Sequence, residues 1–352
     1  MSEQKSVHLV VMAGGSGTRF WPKSTSRRPK QLLSFGPESQ ATLLAQTIDR
    51  FDGVVPKSQR WIVTTAALVP AVREAVSAEV AILGEPQARN TAPCIYWAAR
   101  KIAEQDPGAI LLVMPADHFI PRVAAFQETL QGAIERAARY DELVTLGVKP
   151  DRPETGYGYL KVGPALGGGC SKVEAFVEKP SLEKARGFLA DGHYLWNGGM
   201  FVWRAEVILA AFDRWMPEMK QAWETSGGDI EKAYPRMTAT SIDYGILERH
   251  AQVVTFPLDC GWDDLGSWTS LENLAEVLGA RVESNVVSAG KLVSVDARGN
   301  VIDVPGKLVA LLGVEDLIVV EHGGALLVAR KERAQDIRQV VDAVKKAAPE
   351  LA

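Results

Sequence analysis

The chain has 352 residues, of which 47% are hydrophobic and 23% charged, enough for one large and one smaller domain with a sizeable core. Its 39 basic and 43 acidic side chains leave a net charge of −4, which excludes a bulk field favouring nucleic acid or an anionic membrane. Three scattered cysteines without a CxxC pair and five scattered histidines exclude a disulfide framework, a zinc site and a histidine metal cluster, and they fit a reducing cytoplasm.

In chain order, the first expected strand is "VHLVVMA", Val7–Ala13. Its apolar run is too short for a signal or a membrane span, and no other run reaches that length, so a cytoplasmic protein without a membrane partner is expected. The strand breaks into "GGSGTR", and cations then crowd in at Arg19, Lys23, Arg27, Arg28 and Lys30. Further strands are expected at Arg60–Thr65, Val80–Pro86 and Ala109–His118, with helices over Thr42–Phe51, Val69–Ser77 and Ala92–Gln105. Near-continuous apolar strands alternating with helices predict a parallel sheet covered on both faces. Ligands of such sheets collect at the carboxyl ends of the strands, where the glycine loop and "PADH" stand.

From about Asp151 the pattern changes. "GYGYLKVG", "KVEAFVEKP" and "WNGGMFVWR" read as strands of a mixed sheet continuing the first, with helices near Leu182–Ala190 and Ala205–Trp215. A helix near Ser267–Leu278 is expected to close that domain. After Arg281, short Val/Leu strands are broken by "AGK", "ARGN", "PGK" and "HGG", each a turn signal. They predict a small β-rich domain, for which a left-handed β-helix is one candidate arrangement, ending in a helix over Lys331–Lys346. The expected division is 1–280 and 281–352.

Glycine permits positive φ and close approach of a ligand to the backbone, and amides in such a loop hold phosphate oxygens. Arg19 and Lys30 would add charge toward a polyphosphate. The loop is neither G-x-G-x-x-G nor Walker A. A flexible, solvated turn is the alternative, but Phe20, Trp21 and Pro22 favour an ordered loop. Asp117 follows the apolar run "LLVMPA", and Asp263 and Asp264 lie in "GWDDLGSW". A nucleotide-bound Mg²⁺ takes one or two protein carboxylates, the rest of its shell being phosphate oxygens and water. One carboxylate from each region suits that ion. A helix cap at Asp117 and a turn residue at Asp264 are the alternatives.

The segments "MAGGSGTRFWPKSTSRRPKQ", "GEPQARNTAPC", "PADHFI", "TGYGYLK", "VEAFVEKP", "WNGGMFVW", "SIDYGILER" and "GWDDLGSW" together resemble the nucleotidyltransferases that make nucleotide-sugars. Within these the chain is most similar to the bacterial mannose-1-phosphate guanylyltransferase (GDP-mannose pyrophosphorylase) family. The resemblance implies an α/β fold with a Rossmann-like nucleotidyltransferase domain. It implies the reaction of GTP with mannose 1-phosphate to give GDP-mannose and diphosphate, assisted by Mg²⁺.

By the same resemblance, Ala13, Gly14, Gly15, Gly17 and Thr18 cradle the nucleotide phosphates, and Arg19 and Lys30 stabilise charge on the transferring and leaving groups. Asp117 and Asp264 hold the metal, Asp264 being preferred to Asp263 because it stands two residues before Gly266. Glu85, Pro86, Asn90, Thr91 and Ala92 belong near base and ribose. Gly156, Glu178, Lys179, Asn197 and Gly199 line the sugar-phosphate pocket. No nucleophilic side chain is required, since the sugar phosphate is itself an anionic nucleophile.

Some family members carry an additional cupin-type isomerase domain. This chain is expected to lack mannose-6-phosphate isomerase activity, since its tail has no clustered histidines. A homodimer is compatible with the resemblance. A sibling enzyme for another sugar or base, and a non-catalytic nucleotide-sugar-sensing subunit, are the competing functions.

Overall fold

The computed structural model describes residues 5–15, 17–36 and 41–351. By internal contacts the chain forms two compact units that interleave in sequence. The first is Met1–Gly14, Arg50–Pro115 and Arg122–Trp262; the second is Gly15–Asp49, Ala116–Pro121 and Asp263–Ala352. No helix among the described residues is long and apolar enough to cross a membrane.

The first unit is built on one nine-stranded sheet. Its strands are β1 (Val7–Met12), β2 (Arg60–Thr65), β3 (Ala81–Glu85), β4 (Ile110–Pro115), β5 (Leu143–Val148), β6 (Gly158–Gly167), β7 (Cys170–Glu178), β8 (Tyr194–Arg204) and β9 (Val253–Leu258). They lie in the order β3-β2-β1-β4-β8-β5-β9-β7-β6. β3, β2, β1 and β4 are parallel, as their unbroken apolar runs predict, and β5 and β9 are parallel to each other. β8 runs against both β4 and β5, and β6 and β7 form a hairpin, because its tight turn permits only antiparallel pairing. Met12 pairs with Pro115, so the segments after β1 and β4 start from neighbouring strand ends.

Helices Thr91–Ala103 and Ala205–Trp215 pack together and bury Tyr96, Trp97, Ile208 and Phe212 in the larger core. Helix Val123–Arg139 lies on β5, β8 and β9, although the sequence reading assigns no element to that stretch. Phe126, Leu130, Ala133, Ile134 and Ala137 form its buried stripe, at the spacing of one helical face.

The second unit holds a five-stranded sheet in sequential order: β10 (Arg281–Val282), β11 (Asn285–Val295), β12 (Val301–Leu312), β13 (Leu317–His322) and β14 (Ala325–Arg330). β11, β12 and β13 are parallel and joined by tight turns, and only the outer strands are antiparallel. Parallel neighbours ordinarily need a long crossover. Here the strands themselves bend, so the chain coils as in a β-helix. The bend in β11 falls at Gly290, whose φ is 97° and where a Cβ would meet the Val304 carbonyl oxygen. At the turns, buried Asn300 donates to Asn285 Oδ1 at 2.9 Å and accepts from the Leu317 amide at 2.9 Å, a ladder that satisfies the turn backbone.

One of the expected helices is shorter than predicted, and the terminal one keeps its span but changes type along it. Ser267–Leu278 is α-helical only over Ser270–Leu274, ahead of a turn ending at Gly279, and Lys331–Lys346 opens with a 3₁₀ segment before the α-helix Ile337–Ala347. The core of this unit joins Val286, Val301, Ile318 and Val320 to Ile337, Val341, Phe20, Phe35 and Trp268. Phe20 meets Phe35 and Trp268 edge to face, with ring centroids 4.9 and 5.1 Å apart. The segment after the glycine loop is therefore ordered, because its aromatic side chains are core residues.

Candidate active site

The second unit contains a cavity of about 290 Å³ lined by Gly15, Gly17, Thr18, Arg19, Lys30, Asp117, His118, Asp264 and Gly266, among others. Asp117 and Asp264 thus face one space, together with the glycine turn. Ser16, in the middle of that turn, lies outside the described residues.

Backbone pairing brings the two acidic segments together. The Phe119 amide donates to the Asp263 carbonyl at 2.9 Å, and the Asp263 amide to the Phe119 carbonyl at 3.1 Å. Buried Asp263 accepts from the Leu265 amide at 2.8 Å, whereas its neighbour Asp264 lines the cavity. Leu265 stands at φ 48°, a strained conformation for a branched residue, and is held there by full burial in the core.

The basic cluster divides. Lys23 pairs with buried Asp303 at 2.7 Å, and Arg27 and Arg28 are exposed. Arg19 and Lys30 line the cavity. Lys30 is 7% exposed, pairs with Asp117 Oδ2 at 2.9 Å, and also donates to the Asp264 carbonyl. Arg19 Nη1 donates to the Gly266 carbonyl at 3.2 Å.

Burial pushes the Asp117 carboxyl up, but Lys30, His118 and hydrogen bonds outweigh it and hold the group below the usual carboxylate range. A depressed pKa contributes stability that is fully present above the unfolded value, about pH 4, and fades as pH falls through the folded value. The stability difference between wild type and Asp117→Asn is therefore expected to be level from about pH 5 to 8 and to shrink in stronger acid. Urea unfolding across that range checks it. A difference that grows on acidification would refute the pairing.

Among the described residues, no group of three or more His, Cys, Asp or Glu side chains gathers as a metal site. Two carboxylates on one cavity nevertheless match what a phosphate-bound divalent ion takes from protein.

The remaining predicted residues form groups in the first unit. The Ala13 amide donates to the Val63 carbonyl at 2.7 Å, and the Ala13 carbonyl accepts from Thr64 Oγ1 at 2.9 Å. A Cβ on Gly14 would stand 3.2 Å from Glu85 Oε2, so these two are neighbours. Glu85 is buried and accepts from the Tyr234 hydroxyl; burial raises its pKa and that bond opposes the rise. Pro86 follows β3 directly. Asn90 caps the next helix by accepting from the Thr91 amide at 2.8 Å. Thr91 Oγ1 accepts from the Ile242 amide at 2.9 Å, and the Ala92 amide donates to the Thr240 carbonyl at 3.0 Å.

Asn197 donates to Asp243 Oδ1 at 2.7 Å and accepts from the Gly199 amide at 3.2 Å. Burial, and then nearby Asp243, raise the Glu178 pKa. Lys179 is exposed at φ 43°, and the exposed Gly156 amide donates to Glu154 Oε1 at 2.9 Å.

Several polar residues of these groups carry no role in the sequence reading: His118, Tyr234, Asp243 and Arg338. Asp243 opens a π-helical turn, Asp243–Leu247, a rare device found often, though not only, at functional sites. Arg338 has no local signal, since only the tertiary fold brings it to the cavity.

Residues 8–280 match the family described as Nucleotidyl transferase, and residues 290–344 match the MannoseP isomerase/GMP-like beta-helix domain. The chain is 38% identical over 353 residues to the xanthan biosynthesis protein XanB of Xanthomonas campestris, covering 96% of this chain and 73% of that protein. It is 36% identical to the mannose-1-phosphate guanylyltransferase ManC of Salmonella typhimurium, covering 97% of this chain and 74% of that one. A Thermus thermophilus crystal structure described as a mannose-1-phosphate geranyltransferase superposes with a TM-score of 0.88 and 33% identity, covering 97% of this chain and 99% of its own.

Proposed function

We propose a function from the premise these likenesses establish: the chain belongs to the mannose-1-phosphate guanylyltransferase family of sugar-1-phosphate nucleotidyltransferases. In our reading it transfers the guanylyl group of GTP to mannose 1-phosphate. The observation that carries this reading is the convergence of Gly15, Gly17, Arg19, Lys30, Asp117 and Asp264 on one cavity.

The chemistry is a displacement at the α-phosphorus. An oxygen of the sugar phosphate forms the new P–O bond, the bond to the β-phosphate bridging oxygen breaks, and diphosphate leaves without any required proton transfer. The barrier is electrostatic, because one anion attacks another. Arg19 and Lys30 offset that repulsion and support charge in the transition state. The glycine turn lets the phosphates approach the backbone and fixes the α-phosphorus for in-line attack. Without substrate, Lys30 is held on Asp117; a phosphate oxygen then competes for the same ammonium. A magnesium ion bound by Asp117 and Asp264 would supply further charge neutralisation on the phosphates. Glu85, Pro86 and Asn90–Ala92 serve base and ribose in this reading. Glu178, Lys179, Asn197, Gly156 and Gly199 serve the sugar phosphate.

Diphosphate release by the purified chain, over a panel of nucleoside triphosphates and sugar 1-phosphates, tests the reading. GTP with mannose 1-phosphate is expected to exceed every other pair by at least ~10-fold, and chelation of divalent ions to abolish release. A better rate with another pair would reassign the substrate. Failure with every pair would leave a binding or regulatory subunit instead.

A further inference from the structure

The β-rich tail reads as a structural appendage, yet it supplies one side chain to the phosphate cavity. Arg338 stands in the first turn of helix Ile337–Ala347 and lines the same space as Gly15, Arg19, Lys30, Asp117 and Asp264. The helix is anchored there. Ile337 and Val341 are buried in the core that also holds Phe20 and Trp268, and the helix packs on the turn Thr18–Phe20. Arg338 is therefore held in place by apolar contacts of its neighbours, not by a polar partner of its own.

Two features mark this arginine as an anion ligand. Among the described residues it makes no hydrogen bond or ion pair, although carboxylates line the same cavity, and Arg19 makes no ion pair either. The two guanidiniums also repel. Burial first, and then the charge of Arg338, push the Arg19 pKa down, and the Asp264 carboxylate offsets only part of that fall. Two guanidiniums on one small cavity, neither of them in an ion pair, are further stabilised when an anion joins them.

The cavity also has a direction. Lys30 is almost fully withdrawn from solvent and its partner Asp117 is half-buried, whereas Arg338 is exposed. The reacting α-phosphorus belongs with that pair. The terminal phosphates carry most of the charge and must depart, so they belong at the exposed end.

We propose that Arg338 is a phosphate-binding residue that holds the β- and γ-phosphates of the nucleotide, the group that leaves as diphosphate. This rests on the function proposed above. It makes the C-terminal helix part of the nucleotide site.

Arg338→Ala and Arg338→Lys in the full chain test the assignment, with Arg333→Ala as control. Arg333 is exposed, pairs with Asp336 and does not line the cavity. Calorimetric titration with inorganic diphosphate needs no turnover and is measured first. Arg338→Ala is expected to weaken diphosphate binding by ~10-fold or more, with Arg338→Lys intermediate and Arg333→Ala unchanged. In kinetics, KM for GTP and the inhibition constant for diphosphate should rise together, while KM for mannose 1-phosphate stays within about twofold. GDP-mannose lacks the leaving group, so its affinity should also stay within about twofold. The melting temperature should move by no more than about 2 °C, since the substituted side chain is exposed.

Diphosphate binding within twofold of wild type in Arg338→Ala would overturn the proposal. An equal loss of GDP-mannose affinity would overturn it as well, by showing a general disturbance of the site. Absence of turnover in wild type, with diphosphate binding that depends on Arg338, would reject the transferase reaction and leave the anion site standing.

Discussion

Replacing Lys30 by alanine is expected to lower turnover by about 10²–10³-fold while the chain remains folded. Lys30 is almost fully buried, and its ammonium bonds both the Asp117 carboxylate and the Asp264 carbonyl. The substitution removes the withdrawn cation of the cavity, the one best placed to meet charge developing on the transferring phosphate. The effect should fall mainly on kcat, since the interaction strengthens as charge develops. Stability should fall by only about 1–3 kcal/mol, the range for removing a charged hydrogen-bond partner. Asp117 keeps about a third of its side chain in water (34%), so its orphaned charge remains solvated. Steady-state kinetics and thermal unfolding of the purified variant decide the matter. A kcat within threefold of wild type would remove Lys30 from the chemistry.

Gly17→Ala is the second large effect. Gly17 has φ 55°, and an added Cβ would stand 2.4 Å from Lys30 Cβ and 2.6 Å from the Lys30 amide nitrogen. No side-chain rotation relieves contact with a backbone atom, so Lys30 and its turn must shift. The left-handed conformation adds about 1–2 kcal/mol of strain. Together these predict a loss of about 2–4 kcal/mol and a drop in kcat/KM of at least ~100-fold, because a displacement near 1 Å is enough to spoil in-line geometry. Gly15→Ala makes the contrast, since a Cβ there meets nothing within 4 Å. Gly15→Ala should fold like wild type, so any loss of activity reports on the approach of the nucleotide alone. Gly17→Ala with wild-type kcat/KM would show that the turn does not position Lys30.

Much of this was legible in the linear chain, for local reasons. The unbroken apolar runs of β1, β2 and β4 predict buried parallel strands, and those strands pair in parallel. Glycine clusters and "ARGN"-type turns punctuate the tail as they do the folded strands β11 to β14. The glycine turn, Arg19, Lys30 and the two acidic segments stood out because phosphate chemistry demands those residue types and strand ends place them. Strand periodicity and turn conformation depend on neighbours within a few residues, so sequence alone carries them.

Tertiary packing decided the rest. Five cations look equivalent from Arg19 to Lys30, yet Asp303 takes Lys23 and Asp117 takes Lys30. Asp263 and Asp264 are chemically identical neighbours. Pairing with Phe119 and an inward turn bury one, and the other is left on the cavity. Asn197 finds Asp243, and Arg338 joins Arg19 on one cavity, only through helices and strands remote in sequence. Amino-acid type determined which groups were available for phosphate chemistry. Which of them share one cavity depended on core contacts across hundreds of residues, because an ion pair needs its partners within about 4 Å and no local pattern encodes that approach.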